Sequence, residues 1–310
     1  HTYQMIMYAE SQLTNDEEFV TGMLISQYDI NNSLPIGHAI VKGVDLADGS
    51  MVYSKKDIAL TSPGADLEFV RTYSSQARHN LTALGRGWSH NYLSRVIKGR
   101  CGQVTVTGAD GGSARFMQNG DVYEPMKGYH SSLIYNQDGT FDFYPKGGNK
   151  YHYIQLQANV WWMQYIEDPN GNRLTVQLLP RESTPVIASV TDSVGRSLLF
   201  EYELKDFGLY NAEMLTQVKG PDGININFEY DDLGNLISAN REGDSTQETL
   251  VYTEFTSGPS RSLLTTVTDN ATQGSRSWGY RVKNTEVPSS MGDVPDIVSI
   301  EVESLLETDA

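Results

Sequence analysis

Six Asx-Gly dipeptides punctuate the chain, at Asp48-Gly49, Asp110-Gly111, Asn119-Gly120, Asp138-Gly139, Asn170-Gly171 and Asp222-Gly223. Asn or Asp followed by Gly accepts the positive φ that tight hairpin turns demand. Between and beyond them lie short runs such as Gln103-Val-Thr-Val-Thr107, Thr140-Phe-Asp-Phe-Tyr144, Tyr151-His-Tyr-Ile-Gln-Leu-Gln157, Ile224-Asn-Ile-Asn-Phe-Glu-Tyr230 and Leu250-Val-Tyr-Thr-Glu-Phe255. Their period-two alternation of β-branched and aromatic residues with polar ones is the pattern of half-buried strands. Turns alternating directly with strands leave no length for crossover helices, so the sequence predicts an all-β fold of antiparallel hairpins in one continuous sheet. One short helix is expected ahead of it, over residues 9–20, where Thr14-Asn-Asp-Glu-Glu18 supplies capping and acidic residues to a helix N-terminus.

The second half repeats. Ile166-Glu-Asp-Pro-Asn-Gly-Asn-Arg-Leu174, Val190-Thr-Asp-Ser-Val-Gly-Arg-Ser-Leu198 and Val218-Lys-Gly-Pro-Asp-Gly-Ile-Asn-Ile226 align as a strand end, an Asp/Pro/Gly turn and a new strand. The second and third units close on Phe200-Glu-Tyr202 and Phe228-Glu-Tyr230, and a degenerate unit runs from Leu264 to Trp278-Gly-Tyr280. Asp231-Asp-Leu-Gly234 begins a further turn. A two-stranded unit cannot bury its own face, so such units stack on their neighbours and grow in one dimension.

These Asp-x-x-Gly turns and Phe-x-Tyr closures resemble the RHS or YD repeats of bacterial polymorphic toxins, Tc toxin B and C subunits and teneurins. Upstream, Asp57-Ile-Ala-Leu-Thr-Ser-Pro-Gly-Ala-Asp-Leu-Glu-Phe-Val-Arg-Thr-Tyr-Ser-Ser75 and Leu84-Gly-Arg-Gly-Trp-Ser-His-Asn-Tyr92 resemble the module that opens the RHS core. The resemblance covers roughly residues 40–282. It implies a spiralling sheet that closes into a hollow shell around a partly unfolded effector. The family's shell takes more repeats, and its self-cleaving C-terminal module is absent, so the resemblance implies the opening part of a shell. The expected organisation is a leader, plug or linker over 1–39, an opening RHS module over 40–100 and hairpin repeats over 101–310.

Composition narrows the function. With 23 Lys and Arg against 39 Asp and Glu, the net charge of −16 argues against a nucleic-acid-binding surface, which needs a basic stripe. A single cysteine, Cys101, excludes an intrachain disulfide framework and a multi-thiolate metal site. No window approaches the apolar length of a membrane-spanning helix. Secretion or surface display, through a bacterial export system, is the localisation that the resemblance implies.

Chemistry-bearing motifs are sparse: the chain has no Gly-x-Ser-x-Gly elbow, phosphate loop or His-Glu-x-x-His pair. His1 offers an amine-and-imidazole copper chelate, but no spacing around the other histidines supports a redox site, and a chain start is the favoured reading. Asp168-Pro-Asn-Gly-Asn-Arg173 has the alternating oxygens of a calcium loop without its closing Glu, and reads better as a hairpin turn. Asp231-Asp232 and Asp66-x-Glu68 read as solvated carboxylates rather than an acid/base pair. Arg71, beside Tyr73 and Trp88, is expected to brace the fold by stacking its guanidinium on a ring. Trp161-Trp162, Phe141/Phe143 and Tyr151/Tyr153 form a sheet-packing ladder or, if exposed, a sugar platform; Trp161 and Trp162 point to opposite faces, so at most one is expected in a given buried layer, with the other open to cover by a neighbouring segment.

The expectation is therefore non-enzymatic and without a cofactor or metal: a shell segment that encloses or presents a toxin effector, partnered by the rest of the shell and its cargo. Arg71, Tyr73, Gly85, Gly87, Trp88, Gly171, Gly195, Phe200, Tyr202, Gly223, Phe228, Tyr230 and Gly234 are its expected structural positions. A cell-surface adhesion module contacting glycan or a receptor through Trp161 or Trp162 is the alternative.

Overall fold

The computed structural model describes residues 40–41, 44–45, 50–99, 102–108, 113–120, 122–126, 130–146, 148–181, 184–208, 210–243, 247–254, 262–270, 272, 274–284 and 298–308. The expected helix over 9–20, His1, Cys101, Asp48-Gly49 and Asp110-Gly111 lie outside them.

The described chain is all-β apart from two 3-10 turns. β1 (Ile40–Val41) and β2 (Val44–Asp45) form a small hairpin. Then come β3 (Val52–Leu60), β4 (Leu67–Ser74), the hairpin of β5 (Leu81–Thr82) with β6 (Gly85–Arg86), and β7 (Trp88–His90). β3, β4 and β7 make a separate three-stranded antiparallel sheet, here called the opening sheet. Its central strand, Leu67-Glu-Phe-Val-Arg-Thr-Tyr-Ser74, is buried on both faces from Arg71 onward, as a layer sandwiched between others must be.

A second sheet begins with β8 (Arg95–Lys98), β9 (Gln103–Thr107), β10 (Ser113–Asn119), β11 (Val122–Pro125), β12 (Ser132–Tyr135), β13 (Phe141–Tyr144), β14 (Lys150–Gln157) and β15 (Val160–Glu167). Each pairs antiparallel with the next, and β15 returns to β8 through Val160↔Ile97, Trp161↔Val96 and Trp162↔Arg95. Eight strands thus close into a ring. Alternation fills it with side chains: Phe116, Phe141, Tyr153 and Trp161 are buried, and the Phe141 and Trp161 rings meet edge to face at 4.9 Å.

From the C-terminal half of β15 the sheet continues as a ribbon of hairpins: β16 (Arg173–Leu179), β17 (Val186–Thr191), β18 (Ser197–Asp206), β19 (Asn211–Lys219), β20 (Asn225–Tyr230), β21 (Leu236–Arg241), β22 (Gln247–Glu254), β23 (Ser262–Asp269), β24 (Gly274–Asn284) and β25 (Val298–Thr308). All four described Asx-Gly dipeptides sit between consecutive antiparallel strands. The Asp-x-x-Gly turns share one geometry. The Asp168 carboxylate accepts from the N–H groups of Asn170 and Asn172, Asp192 from Val194 and Arg196, and Asp231 from Leu233 and Asn235. The calcium-loop oxygens of Asp168 are therefore spent inside its own turn, and those hydrogen bonds, Asn172's side chain first, hold its carboxyl below the usual range. The unit at Val218 departs from its expected alignment: Gly220 stands where the other turns have Asp, no carboxylate caps the turn, and Pro221–Gly223 forms a 3-10 turn instead.

Pairing between successive hairpins is brief. It stops at Leu199↔Ser189, Asn227↔Gln217, Thr249↔Ser238 and Ser277↔Thr266. Three residues beyond each stop, after a register shift, stands a tyrosine that reaches back to the preceding hairpin. Tyr230 donates to the Leu215 carbonyl at 2.6 Å, Tyr252 to Leu236 at 2.9 Å and Tyr280 to Leu264 at 2.5 Å, while Tyr202 hydrogen-bonds the backbone of Ile187. The tyrosine of each Phe-x-Tyr closure is thus a rung between hairpins. Tyr252 belongs to the series although Leu250 replaces its Phe.

Candidate functional site: the junction between opening sheet and ribbon

The opening sheet covers one face of the ribbon, and the residues that join them come from both. Phe69 packs edge to face on Phe200 at 5.8 Å and lies 6.0 Å from Phe228, and the His90 ring stacks on Phe200 at 5.8 Å. Tyr53 meets Trp278 at 6.1 Å. The first residue of each Phe-x-Tyr or Trp-x-Tyr closure therefore faces the opening sheet, while the tyrosine bridges hairpins. Trp88, 1% exposed, donates from Nε1 to the Tyr252 hydroxyl at 2.8 Å. The Leu264 N–H donates to the Tyr73 hydroxyl at 3.1 Å, and burial pushes that phenol up to about 12.

The hairpin of β5 and β6 adds backbone contacts. Arg86 donates from its backbone to the Gly234 carbonyl at 2.9 Å and from Nε to Leu233 at 2.7 Å, and the Leu215 N–H donates to Ala83 at 2.7 Å. At the other end Ser62 donates to the Asp192 carboxylate, and Arg196 donates to the Thr61 carbonyl. Attachments thus run from β17–β18 through to β24.

Arg71 sits at the centre. Register places it between Lys55 on β3 and His90 on β7. Its Nε and Nη2 hold Asp57 at 2.6 and 3.1 Å, and Nη2 also donates to Glu248 on the ribbon. Tyr53 donates to the same Glu248, and Lys55 pairs with Glu248 at 3.6 Å and with Asp269 at 3.2 Å. Burial raises Glu248's carboxyl, but Arg71, Tyr53 and Lys55 together outweigh it and hold it below the usual range. At Asp57 burial wins over Arg71 and raises the carboxyl. The expected brace is present: the guanidinium lies over the Trp88 ring at 5.4 Å. A shallow cleft of about 220 Å³ opens beside Lys55, Arg71, Arg241 and Asp269. Among the described residues burial alone drives the pKa of His90 down, to about 3, so it is neutral at pH 7.

The predicted glycines divide into two groups. Gly171, Gly195 and Gly223 lie in open turns, whereas Gly85, Gly87 and Gly234 lie against neighbours. At Gly87, φ +76°, a Cβ would stand 2.6 Å from the Tyr73 ring, so both conformation and space require glycine.

Trp161 and Trp162 are 3% and 2% exposed, which corrects the sugar-platform alternative; as expected, they enter different layers, one of them covered by a neighbouring segment. Trp161 enters the ring and donates to the Gly139 carbonyl at 2.7 Å. Trp162 faces the opposite way beneath Arg95, whose guanidinium lies 5.2 Å above it. Sequence reading missed Tyr53, Asp57, Arg86, His90 and Glu248. Arg86 is the middle residue of the Gly-x-Gly-Trp motif and His90 follows two residues after it, but nothing in the sequence marks Glu248, which lies 177 residues from Arg71. Among the described residues no group of three or more His, Cys, Asp and Glu could hold a metal ion, and no helix is long and apolar enough to cross a membrane.

Residues 42–116, about a quarter of the chain, match a family described as a domain of unknown function (DUF6531). No curated protein matches. Among solved structures, the TcdB2-TccC3 complex matches with a TM-score of 0.50 at 12% identity, over 88% of this chain and 20% of that one. The TcdB2-TccC3-Cdc42 complex matches with a TM-score of 0.50 at 11% identity, over 84% and 19%. The Photorhabdus luminescens Tc holotoxin pore gives 0.47 at 12% identity, over 89% and 20%. This chain spans about a fifth of the length of those chains. What it shares with the first two is the fold, the antiparallel all-β sheet of RHS type.

Proposed function

We propose that the chain is a non-enzymatic, end-closing segment of an RHS-type shell that encloses or presents a toxin effector, acting outside the producing cell. The observation that carries this reading is the covered face of the ribbon. The opening sheet and the segments beside it are fastened to the ribbon, from the β17–β18 turn to β23, through Ser62, Arg86, Trp88, Tyr73 and Arg71. That face is spent on a core shared with the opening sheet, so cargo lies beyond this segment, against later turns of the shell. Its work is steric: a rigid wall shields an unfolded chain from proteases and from completing its own fold. The likeness to TcdB2-TccC3 supports the architecture, and the partners, cargo and export are this reading's own.

Native mass spectrometry of the protein isolated from its source without denaturant tests it. A stoichiometric complex with a longer RHS-type polypeptide, or with a retained unfolded fragment, is expected. A lone 34.5 kDa species contradicts it.

A further inference from the structure

The tyrosine rungs follow a rule, and one junction breaks it. Each rung stands three residues past the last cross-hairpin pair and bonds the backbone two residues before that pair's partner. Between β15 and β16 the last pair is Thr175↔Tyr165, which puts Leu178 at the rung position and the Met163 backbone opposite it. The register shift that accompanies the other rungs is present too, between Gln177 and Leu178. Leucine has no hydroxyl to offer.

This is also where β15 leaves β16 to pair with β8. Among the described residues, no strand pairs with Val176–Leu179 on the side away from β17. A crevice of about 410 Å³ opens there, between Ile154, Leu156 and Gln164 on one wall and Thr175, Val176 and Leu178 on the other. Every residue lining it is uncharged, on a chain of net charge −16. Beside it, Trp162 pairs with Ile154, is 2% exposed, and has no hydrogen-bond partner for its Nε1–H among the described residues.

We propose that this crevice is a strand-docking site for one extended, uncharged segment of a partner polypeptide, which pairs with the free edge of β16 and seats alternate apolar side chains against Leu156 and Leu178. An unpaired strand edge offers a row of N–H and C=O groups that another extended backbone satisfies. A wall without charges rejects a charged segment, because burying an unpaired charge is costly. The missing rung is what keeps the site open.

The test titrates the 310-residue chain with the blocked pentapeptide acetyl-Thr-Val-Thr-Val-Thr-amide, reading amide hydrogen exchange at residues 176–179. Saturable binding with slowed exchange there is expected. Leu178→Tyr restores the rung and should weaken binding at least about tenfold, as should Thr175→Lys, which sets a charge on the rim, and backbone N-methylation of the peptide. Thermal melts of both variants check that the fold is kept. No binding, equal binding by the N-methylated peptide, indifference to both substitutions, or protection confined to β25 each overturns the proposal. So does a dimer, seen by sedimentation, that Leu178→Tyr abolishes while the peptide is ignored, since a second copy would then be the occupant.

Discussion

The indole N–H of Trp88 donates to the hydroxyl of Tyr252 across 2.8 Å, and that hydroxyl donates onward to the Leu236 carbonyl at 2.9 Å. A residue of the opening sheet thereby terminates one of the rungs that hold the ribbon's hairpins together. Two layers that pair in separate sheets share a single polar chain inside their common core.

Removing that side chain should be expensive. Trp88→Ala deletes a fully buried indole flanked by Tyr53 and Tyr73, and a loss of about 3–5 kcal/mol in denaturant unfolding is expected. A loss below about 1 kcal/mol would show that the Trp88 site collapses freely and anchors nothing.

Arg71→Met strands two buried carboxylates, Asp57 and Glu248. Breaking such a network from one side costs about 3–5 kcal/mol near neutral pH. The deficit should shrink on acidification, as the abandoned carboxyls take up protons. A deficit that does not change with pH would mean that the guanidinium contributes packing rather than charge.

The rungs predict a graded series. Tyr230→Phe leaves the Leu215 carbonyl without its donor in a buried setting, and about 1–3 kcal/mol should be lost. The same change at Tyr202, which is less buried, should cost less. Equal, negligible losses at both positions would reduce the rungs to ring packing.

How much of this was legible depended on whether a feature is local. The Asp-x-x-Gly turns, the strand runs and the Phe-x-Tyr spacing are set by neighbours in sequence, and the fold class followed from them. Arg71 over Trp88 was reachable because both stand in short motifs. Glu248 was not, since its role exists only once β22 lies beside the opening sheet. Trp161 and Trp162 failed as a platform for the same reason: alternation places them on opposite faces, but only tertiary structure reveals that the ring interior takes one while the other is covered beneath Arg95.

His90 supplies a pH signature. Its folded pKa of about 3 lies below the ordinary 6.5, so between those values the unfolded chain holds the extra proton. Its contribution is complete above about pH 6.5 and is lost as pH falls towards about 3, with a slope of up to about 1.4 kcal/mol per unit. Glu248 adds to acid loss and Asp57 opposes it, but both are common to wild type and variant. His90→Gln should therefore flatten the stability profile between about pH 6.5 and 4.5, as followed by urea unfolding; superimposable slopes would show that His90 is protonated in the fold.

Gly87 and Gly171 separate two uses of glycine. Gly171→Ala meets open space and pays for its positive φ alone, about 1–2 kcal/mol. Gly87→Ala adds a collision with the Tyr73 ring and should cost clearly more. Equal midpoints in thermal melts would mean that Tyr73 moves aside at no cost.

Native-state hydrogen exchange tests the central claim most directly, because it asks whether opening sheet and ribbon open as one body. The account predicts that the slowest amides of β4, around Arg71 and Tyr73, exchange with the same opening free energy and denaturant dependence as those of β20 and β22. If β3, β4 and β7 opened together at markedly lower free energy while the ribbon stayed protected, the opening sheet would be a detachable cover, and the face beneath it would be open to cargo.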